Sequence, residues 1–167
     1  SVNSASSSGS GAIVNAGTIA KAGGLGNTTL YAAVSNTGTV AVSEGTLTLE
    51  QGASGGGSFV LDGPATLDFV LDAGSGSAVL FLHPGGTLAT QALGSFASTI
   101  SGFASGDVID AASVGFVSGT TAVGFDGGTL TVSEGAASAA FALTGSYVVG
   151  SFHLAADGHG GTAVSYG

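Results

Sequence analysis

The sequence predicts an all-β chain folded as a right-handed parallel β-helix, or β-solenoid, with coils of about 21 residues. Two observations carry this prediction: a short glycine–threonine unit recurs along the chain, and its copies are almost evenly spaced. Repeats of roughly 20 to 50 residues are typical of solenoids, propellers and arrays. The period observed here is too short for a helix pair or a propeller blade, but it suits one coil of short strands joined by tight turns. Right-handed winding follows from the general rule for parallel crossover connections.

The recurring unit is a turn glycine followed by alternating polar and apolar residues, a pattern typical of a half-buried strand. Its clearest copy is Gly45–Leu49. The other copies are Gly17–Ile19, Gly38–Val40, Ala65–Phe69, Gly86–Leu88, Gly128–Val132 and Gly161–Val164. Glycine suits the corners of such coils because bends often need a positive φ.

The spacing of the threonines defines the coil length. The pairs Thr18/Thr39, Thr46/Thr66 and Thr66/Thr87 are each separated by one period, to within a single position. Thr129 lies twice this distance beyond Thr87, so we expect it two coils further on, with the intervening copy near position 108. Gly106–Asp110 has the expected shape there, with aspartate in place of threonine. The last step, from Thr129 to Thr162, is about one and a half periods long and breaks the pattern.

Two asparagines repeat with the same period. Val14–Ile19 and Ser35–Val40 align when one segment is shifted by one period, which places Asn15 and Asn36 at equivalent positions. If the coils stack at the usual strand spacing of about 4.8 Å, the two side chains can form an amide ladder. Asparagine also tolerates a left-handed corner conformation. Both explanations stay open, and neither gives the asparagines a catalytic role.

Composition limits the structure and the partners. The chain has 167 residues, of which 32 are glycine and 44% are hydrophobic, and its mean hydropathy of +0.55 indicates enough apolar side chains for a narrow core. The net charge is −9 and Lys21 is the only lysine or arginine, so the clustered cations that bind nucleic acids are missing. The longest strongly apolar run, Ala78–Leu82, is far shorter than the ~18 residues of a membrane helix. We therefore expect no nucleic-acid partner and no membrane-spanning segment.

The chain divides into a short arm and one domain. Residues 1–11 are rich in serine and glycine and lack a hydrophobic period, so we expect a flexible arm. Residues 12–167 are expected to form a single β-solenoid domain that becomes less regular after about residue 93. The chain has no cysteine, so no disulfide framework supports the coils.

The N-terminal half resembles the β-helical passengers of bacterial autotransporters and surface proteins of the filamentous-haemagglutinin type. The units that carry this resemblance are Asn-x-Gly-Thr-Ile/Val at 15–19 and 36–40 and Gly-Thr-Leu-x-Leu at 45–49. Through Ile100–Asp110 and Asp157–Thr162, the C-terminal half is similar to segments of large secreted proteobacterial repeat proteins. The resemblance covers residues 12–167 and implies an extracellular right-handed parallel β-helix used in adhesion, matrix or surface structure.

Calcium is the one cofactor that the sequence suggests. Ca²⁺ takes six to eight hard oxygen ligands, usually with carboxylates among them. The candidate ligands are Asp107, Asp110, Asp126 and Asp157. Gly23–Tyr31 also resembles the nonapeptide calcium repeat Gly-Gly-x-Gly-x-Asp-x-apolar-x, but Thr28 stands at the aspartate position and tandem copies are absent. The alternative is that these aspartates are solvated turn residues.

No catalytic residue is assigned from the sequence. Gly52–Gly56 matches Gly-x-Ser-x-Gly, but glycine is so frequent that chance matches are expected, and the strand–turn–helix context is missing. His83, His153 and His159 are too scattered for a recognisable metal motif.

Two further activities are known for solenoids of this kind. Enzymes that act on acidic polysaccharides use parallel β-helices, and they need carboxylates or a base with cationic help in a groove. With one lysine and no arginine, this chain would need a metal to neutralise a uronate. Outward threonine rows at Thr46/Thr48 and Thr129/Thr131 suggest an ice-binding face, but Asp68 and Asp110 interrupt the rows.

The function that these features favour is a non-catalytic extracellular structural or adhesive protein at the cell surface. Parallel coils leave unpaired backbone at the ends of a solenoid, and the sequence shows no charged cap. We therefore expect end-to-end self-association into a filament or surface layer, with surface glycans as possible partners. The alternatives are a calcium-stabilised secreted repeat module and a polysaccharide-active β-helix.

Overall fold

The computed structural model of the chain describes residues 11–71 and 76–167. Their strands form a β-solenoid of about five turns with coils of about 21 residues, which confirms the fold class predicted from the repeat spacing. The described residues contain no α-helix, and one short 3₁₀ turn covers Val149–Ser151. The handedness of the winding stays a prediction. Apart from Gly11, the predicted N-terminal arm lies outside the described residues.

Among the described residues, the first three coils contain three strands each, and the next two contain two. Coil 1 consists of β1 (Ile13–Asn15), β2 (Thr18–Lys21) and β3 (Asn27–Leu30). Coil 2 consists of β4 (Val34–Asn36), β5 (Thr39–Val42) and β6 (Gly45–Leu49). Coil 3 consists of β7 (Ala53–Ser54), β8 (Ser58–Asp62) and β9 (Ala65–Phe69). Coils 4 and 5 consist of β10 (Ala78–His83) with β11 (Thr87–Thr90), and β12 (Gly94–Ser101) with β13 (Val108–Ala111).

Equivalent strands of successive coils pair in parallel and build three sheets. Sheet 1 has the order β1-β4-β7, sheet 2 contains β2-β5-β8-β10-β12, and sheet 3 contains β3-β6-β9-β11-β13. In sheet 3, Thr46 pairs with Thr66, Thr66 with Thr87, and Thr87 with Val108. The threonine period in the sequence is therefore the register of the stacked coils.

The core is a narrow stack of apolar side chains enclosed by the sheets. One register column on sheet 2 consists of Val40, Phe59, Val79 and Ile100. One column on sheet 3 consists of Leu47, Leu67, Leu88 and Ile109. All eight side chains are at most 2% exposed. The Phe59 and Phe69 rings meet edge to face at 5.1 Å, so sheets 2 and 3 pack directly against each other.

The regular stacking ends after β13. Sheet 2 gains β16 (Ala137–Thr144) in parallel with β12, and then the antiparallel strands β15 (Thr129–Glu134) and β14 (Ala122–Asp126). Sheet 3 gains the antiparallel strands β18 (Thr162–Tyr166) and β17 (Phe152–Ala156). The C-terminal end of the solenoid therefore consists of the antiparallel meander β14-β15-β16 and the hairpin β17-β18 rather than a further regular coil.

The expectation that Thr129 continues the threonine column of sheet 3 is wrong. Thr129 lies in sheet 2, where it pairs with Ala142. The turn before it contains Gly127 and Gly128, whose φ angles are +55° and +82°. Two consecutive residues of positive φ are typical of a tight hairpin turn, so the chain reverses direction here instead of turning a solenoid corner.

Five aromatic residues close the core at this end, and we call them the aromatic cap: Phe103, Phe125, Tyr147, Phe152 and Tyr166. Their contacting rings have centroid separations from 5.0 to 6.4 Å. The hydroxyl of Tyr147 donates to the backbone oxygen of Phe103 at 3.0 Å, which ties the segment after β16 to coil 5. Large aromatic side chains thus cover the last apolar layer.

Candidate functional site

An acidic column lies on the outward face of sheet 3. Asp68, Ala89 and Asp110 occupy the same register position on three successive coils. Adjacent coils are about 4.8 Å apart, so the two carboxyl groups are two coil spacings apart, with the side chain of Ala89 between them. The hydroxyl of Thr48 on the preceding coil donates to Asp68 at 3.3 Å. Burial raises the pKa of Asp68, and the bond from Thr48 opposes that rise.

Asp157 joins this column from the loop between β17 and β18. Its carboxylate lies close enough to the Asp110 carboxyl group to raise the pKa of Asp110. Burial is the main cause that raises the pKa of Asp110 to about 6; the nearby Asp157 and Asp68 carboxylates add to the rise, and His159 opposes it. One oxygen of Asp110, Oδ1, is buried with no hydrogen-bond partner. Asp110 is therefore the carboxyl group that holds a proton most readily.

Asp157 itself is held in the ionised form. Its Oδ1 accepts hydrogen bonds from the backbone N–H groups of His159, at 2.7 Å, and Gly161, at 2.8 Å. Slight burial acts to raise the pKa of Asp157, but backbone donors from His159, Gly161 and Gly160 outweigh it and lower that pKa. The pair thus combines a proton-holding carboxyl group with an ionised one, an arrangement typical of acid–base chemistry.

Asp107, another predicted metal ligand, is a buried turn anchor. Its Oδ1 accepts from the backbone N–H groups of Gly85 and Gly86, and its Oδ2 accepts from that of Ala104. Three backbone donors satisfy the carboxylate and join the corners of coils 4 and 5. The expectation that an aspartate replaces threonine in the unit Gly106–Asp110 is wrong, because Thr87 pairs with Val108 and Asp107 lies one residue earlier, at the corner.

Asp126 lies apart from the other predicted ligands, exposed at the β14–β15 turn in sheet 2. The structure therefore brings Asp110 and Asp157 together and places Asp107 and Asp126 elsewhere. In residues 11–71 and 76–167, no group of three or more aspartate, glutamate, histidine or cysteine side chains is arranged to hold a metal ion. Calcium binding by these four aspartates stays a prediction.

The histidines and the Gly-x-Ser-x-Gly match lie at separate places. Nδ1 of His83 is 2.6 Å from a carboxylate oxygen of Asp62, in an exposed pair. Nε2 of His153 lies 2.9 Å from the backbone oxygen of Gly167. Ser54 is exposed in β7, and a side chain at the adjacent Gly55 would overlap the backbone of Asn36. Gly55 thus permits close contact between coils 2 and 3.

The threonine rows do not form one face. Thr46 and Thr48 lie in β6 of sheet 3, whereas Thr129 and Thr131 lie in β15 of sheet 2. Thr48 is bonded to both Asn27 and Asp68. The rows that suggested an ice-binding face are therefore divided between two sheets.

The N-terminal end presents the buried asparagine ladder predicted from the sequence. Nδ2 of Asn15 donates to Oδ1 of Asn36 at 2.8 Å and to the backbone oxygen of Thr39 at 3.0 Å. Nδ2 of Asn36 donates to the backbone oxygen of Ser58. No non-glycine residue among those described has a positive φ, so the left-handed corner explanation for the asparagines is wrong.

A glycine column beside the ladder marks how closely the coils approach. Thr39 N–H donates to the oxygen of Gly17 at 2.8 Å, and Ser58 N–H donates to the oxygen of Gly38 at 2.9 Å. A Cβ at Gly38 would overlap the oxygen of Gly17, and a Cβ at Gly57 would lie 2.6 Å from the oxygen of Gly38. A Cβ at Gly17 would meet no described atom within 4 Å. Sequence reasoning did not distinguish Gly17 from Gly38, because the repeat pattern makes the two glycines equivalent and does not show the backbone contacts of either.

Comparison of the chain with known protein families and with curated protein sequences found no match. The described residues include no helix with the length and hydrophobicity of a transmembrane segment.

Proposed function

We propose that this chain is a non-catalytic extracellular structural or adhesive protein that associates with itself through an end of the solenoid. The observation that carries the proposal is the N-terminal end, where β1, β2 and β3 pair with coil 2 on one side and have no described partner on the other. Strand edges of this kind are templates for pairing with another chain.

The exposed apolar residues near this end support the same proposal. Val14 is 76% exposed in β1, and Leu25 is 87% exposed in the corner between β2 and β3. Ile13 and Ile19 are only partly buried, although they pack against the core. Covering such residues removes apolar surface from water, which favours association.

A structural role also agrees with how the carboxylates are used. Asp107 anchors a turn through three backbone donors, and Glu134 accepts from the hydroxyl groups of Thr120 and Thr121 at 2.8 to 2.9 Å. These acids hold loops in place. The resemblance of the glycine–threonine units to bacterial surface proteins supports an extracellular location and an adhesive role toward surface glycans.

Sedimentation velocity and negative-stain microscopy of the full chain test the proposed association. We expect a concentration-dependent species larger than one chain, with or without Ca²⁺. Association at one end gives a closed dimer, whereas association at both ends gives a filament or surface layer. A single-chain species at every concentration would contradict the proposal. Binding to a glycan array tests the adhesive role separately.

A second candidate function follows from the acidic column. Burial and neighbouring carboxylates raise the pKa of Asp110, backbone donors lower that of Asp157, and Asp68 lies two coils before Asp110 in the same register column. Two carboxyl groups with separated pKa values can serve as acid and base in polysaccharide cleavage. Turnover of an acidic polysaccharide that disappears in Asp110→Asn, with unchanged folding, would establish this function instead.

A further inference from the structure

The sequence around Asn27 has the pattern of an N-glycosylation acceptor. Such an acceptor is an asparagine followed by any residue except proline and then by serine or threonine. The chain has asparagine at positions 3, 15, 27 and 36, and Asn27-Thr28-Thr29 is the one place with this pattern. At the other three asparagines, the third position is alanine or glycine. Because the pattern is short, the surroundings of each side-chain amide decide whether it can be modified.

Asn27 is exposed at the start of β3. Its side-chain oxygen, Oδ1, lies 3.1 Å from the hydroxyl oxygen of Thr48 on coil 2. Its amide nitrogen, Nδ2, donates within the acceptor pattern, to Oγ1 of Thr29 at 3.4 Å. The contact with the neighbouring coil therefore uses the oxygen, so a substituent on Nδ2 leaves that contact in place.

The geometry of β3 brings the amide and the hydroxyl of this pattern together. Side chains two positions apart on a strand point to the same face of the sheet. Thr28 pairs with the buried Leu47, so it occupies the register position that faces the core. Asn27 and Thr29 flank it and share the outward face. The third-position hydroxyl thus lies beside the acceptor amide.

The two buried asparagines use their amide nitrogens to join the coils. Nδ2 of Asn15 donates to Oδ1 of Asn36 and to the backbone oxygen of Thr39, and Nδ2 of Asn36 donates to the backbone oxygen of Ser58. Both residues are at most 6% exposed. A sugar on either nitrogen would replace a hydrogen bond between coils. In residues 11–71 and 76–167, Asn27 is therefore the asparagine whose amide nitrogen is available without loss of coil stacking.

The corner before Asn27 leaves space for a bulky substituent. The N–H of Gly24 donates to a carboxylate oxygen of Glu44 at 3.1 Å, which holds the base of the corner against coil 2. Leu25 at its tip is 87% exposed, and a Cβ at Gly26 would meet no described atom within 4 Å. The start of β3 is therefore accessible to a modifying enzyme.

We propose that Asn27 is a site of N-linked glycosylation. The co-substrate is a sugar whose anomeric carbon is bonded to a phosphate group, carried by a lipid or a nucleotide. A transferase forms the bond between Nδ2 and the anomeric carbon. The bond from that carbon to the phosphate oxygen breaks, the carrier leaves with its phosphate, and one amide proton passes to a base of the transferase. This inference rests on the proposed extracellular location, since N-linked sugars are typical of secreted proteins, and it does not depend on self-association.

Peptide mapping by mass spectrometry of the full chain, isolated from the cells that naturally produce it, tests the site. We expect the mass of a sugar on Asn27. Thr29→Ala should abolish the added mass because it removes the third-position hydroxyl, whereas Thr29→Ser should keep it. Thr28→Ala is the matched control, since it changes the adjacent threonine and preserves the pattern. An inhibitor of lipid-linked sugar synthesis distinguishes the carriers: the added mass disappears for a lipid carrier and stays for a nucleotide carrier.

The outcomes separate this inference from the proposed function. An added mass on Asn27 in the wild type, Thr28→Ala and Thr29→Ser, but not in Thr29→Ala, supports the inference. An exported wild-type chain with unmodified Asn27 overturns it and leaves the proposed function standing, and so does a sugar that maps only to other residues. A chain that stays inside the cells contradicts the extracellular location, and with unmodified Asn27 it contradicts both.

Discussion

The side-chain amide of Asn15 donates to the side-chain oxygen of Asn36 at 2.8 Å, although the two residues are 21 positions apart in the sequence. Both side chains are buried, at 6% and 0% exposure. A slip of one residue between the coils would turn one asparagine outward and leave the other without its partner. The ladder therefore fixes the register of coils 1 and 2.

Replacing Asn36 with alanine should destabilise the protein. The change removes the acceptor of Asn15 and the donor to Ser58, and it leaves buried polar groups unsatisfied. We expect the free energy of unfolding to fall by about 1–3 kcal/mol, measured by urea denaturation. The exposed Gln91 provides the control, since Gln91→Ala should change stability by less than about 0.5 kcal/mol. Equal effects of the two substitutions would rule out a stabilising ladder.

Phe69→Ala should have a larger effect. The Phe69 ring is fully buried and meets Phe59 at 5.1 Å and Phe96 at 5.6 Å, so its removal leaves a cavity between sheets 2 and 3. We expect a loss of about 3–5 kcal/mol in the free energy of unfolding. The control is Leu93→Ala, which removes an apolar side chain that is 57% exposed. A loss at Phe69 no greater than that at Leu93 would be inconsistent with the described core.

The same substitution at two equivalent glycines should destabilise the protein at one position and leave its stability unchanged at the other. Gly38→Ala places a methyl group on the oxygen of Gly17, whereas Gly17→Ala places one where no described atom lies within 4 Å. Neither glycine has a left-handed φ, so the contrast is steric. Overpacking costs about 1–3 kcal/mol, and we expect that loss in Gly38→Ala alone, in thermal unfolding at a concentration low enough to keep the chain monomeric. Equal melting temperatures for the two variants would contradict the stacking of coil 2 on coil 1.

Stability should decrease as the pH rises through the range in which Asp110 titrates. Its folded-state pKa is about 6 and its ordinary value is 3.8, so between these values the folded protein binds more protons than the unfolded chain. The free energy of unfolding then falls with increasing pH, and the loss is complete above about pH 6. The raised pKa of Asp68 acts in the same direction. Asp157, whose pKa is lowered, acts oppositely, since its contribution is lost as the pH falls below its ordinary range.

Asp110→Asn isolates the contribution of this carboxyl group. Asparagine is similar in size to aspartate but does not titrate, so the stability of the variant should decline less than that of the wild type as the pH rises. We expect a difference of roughly 1 kcal/mol after allowing for solvent screening at this partly exposed site. Urea midpoints at about pH 4 and about pH 8 measure it. Parallel pH profiles for the variant and the wild type would show that Asp110 titrates normally.

The repeat spacing predicted the fold because each coil uses the same local chemistry. Thr66 and Thr87 pair in register as their spacing requires, and the ladder at Asn15 and Asn36 follows from one shared period. The period failed at Thr129, where Asp126-Gly127-Gly128 forms a hairpin turn. That glycine pair was a visible signal for a hairpin, but the similarity of Gly128–Val132 to the repeating unit obscured it.

The candidate site was less predictable than the fold. Asp110 and Asp157 were both identified as chemically interesting, but their contact depends on the antiparallel return of β18 alongside β13, which the coil period does not encode. Asp107 gave the same sequence signal and is a turn anchor. A carboxylate in a glycine-rich loop therefore predicts hydrogen bonding to backbone donors at least as well as it predicts a metal-binding or catalytic site.

Amide hydrogen exchange at Thr18, followed as a function of protein concentration, tests the association most directly. The N–H of Thr39 is bonded to Gly17 and should be protected at every concentration. Because Thr18 occupies the register position of Thr39, its N–H should be directed away from coil 2, so we expect fast exchange in the dilute protein and slow exchange once another copy covers this end. Exchange at Thr18 that stays fast under conditions in which sedimentation shows a dimer would contradict association through this end.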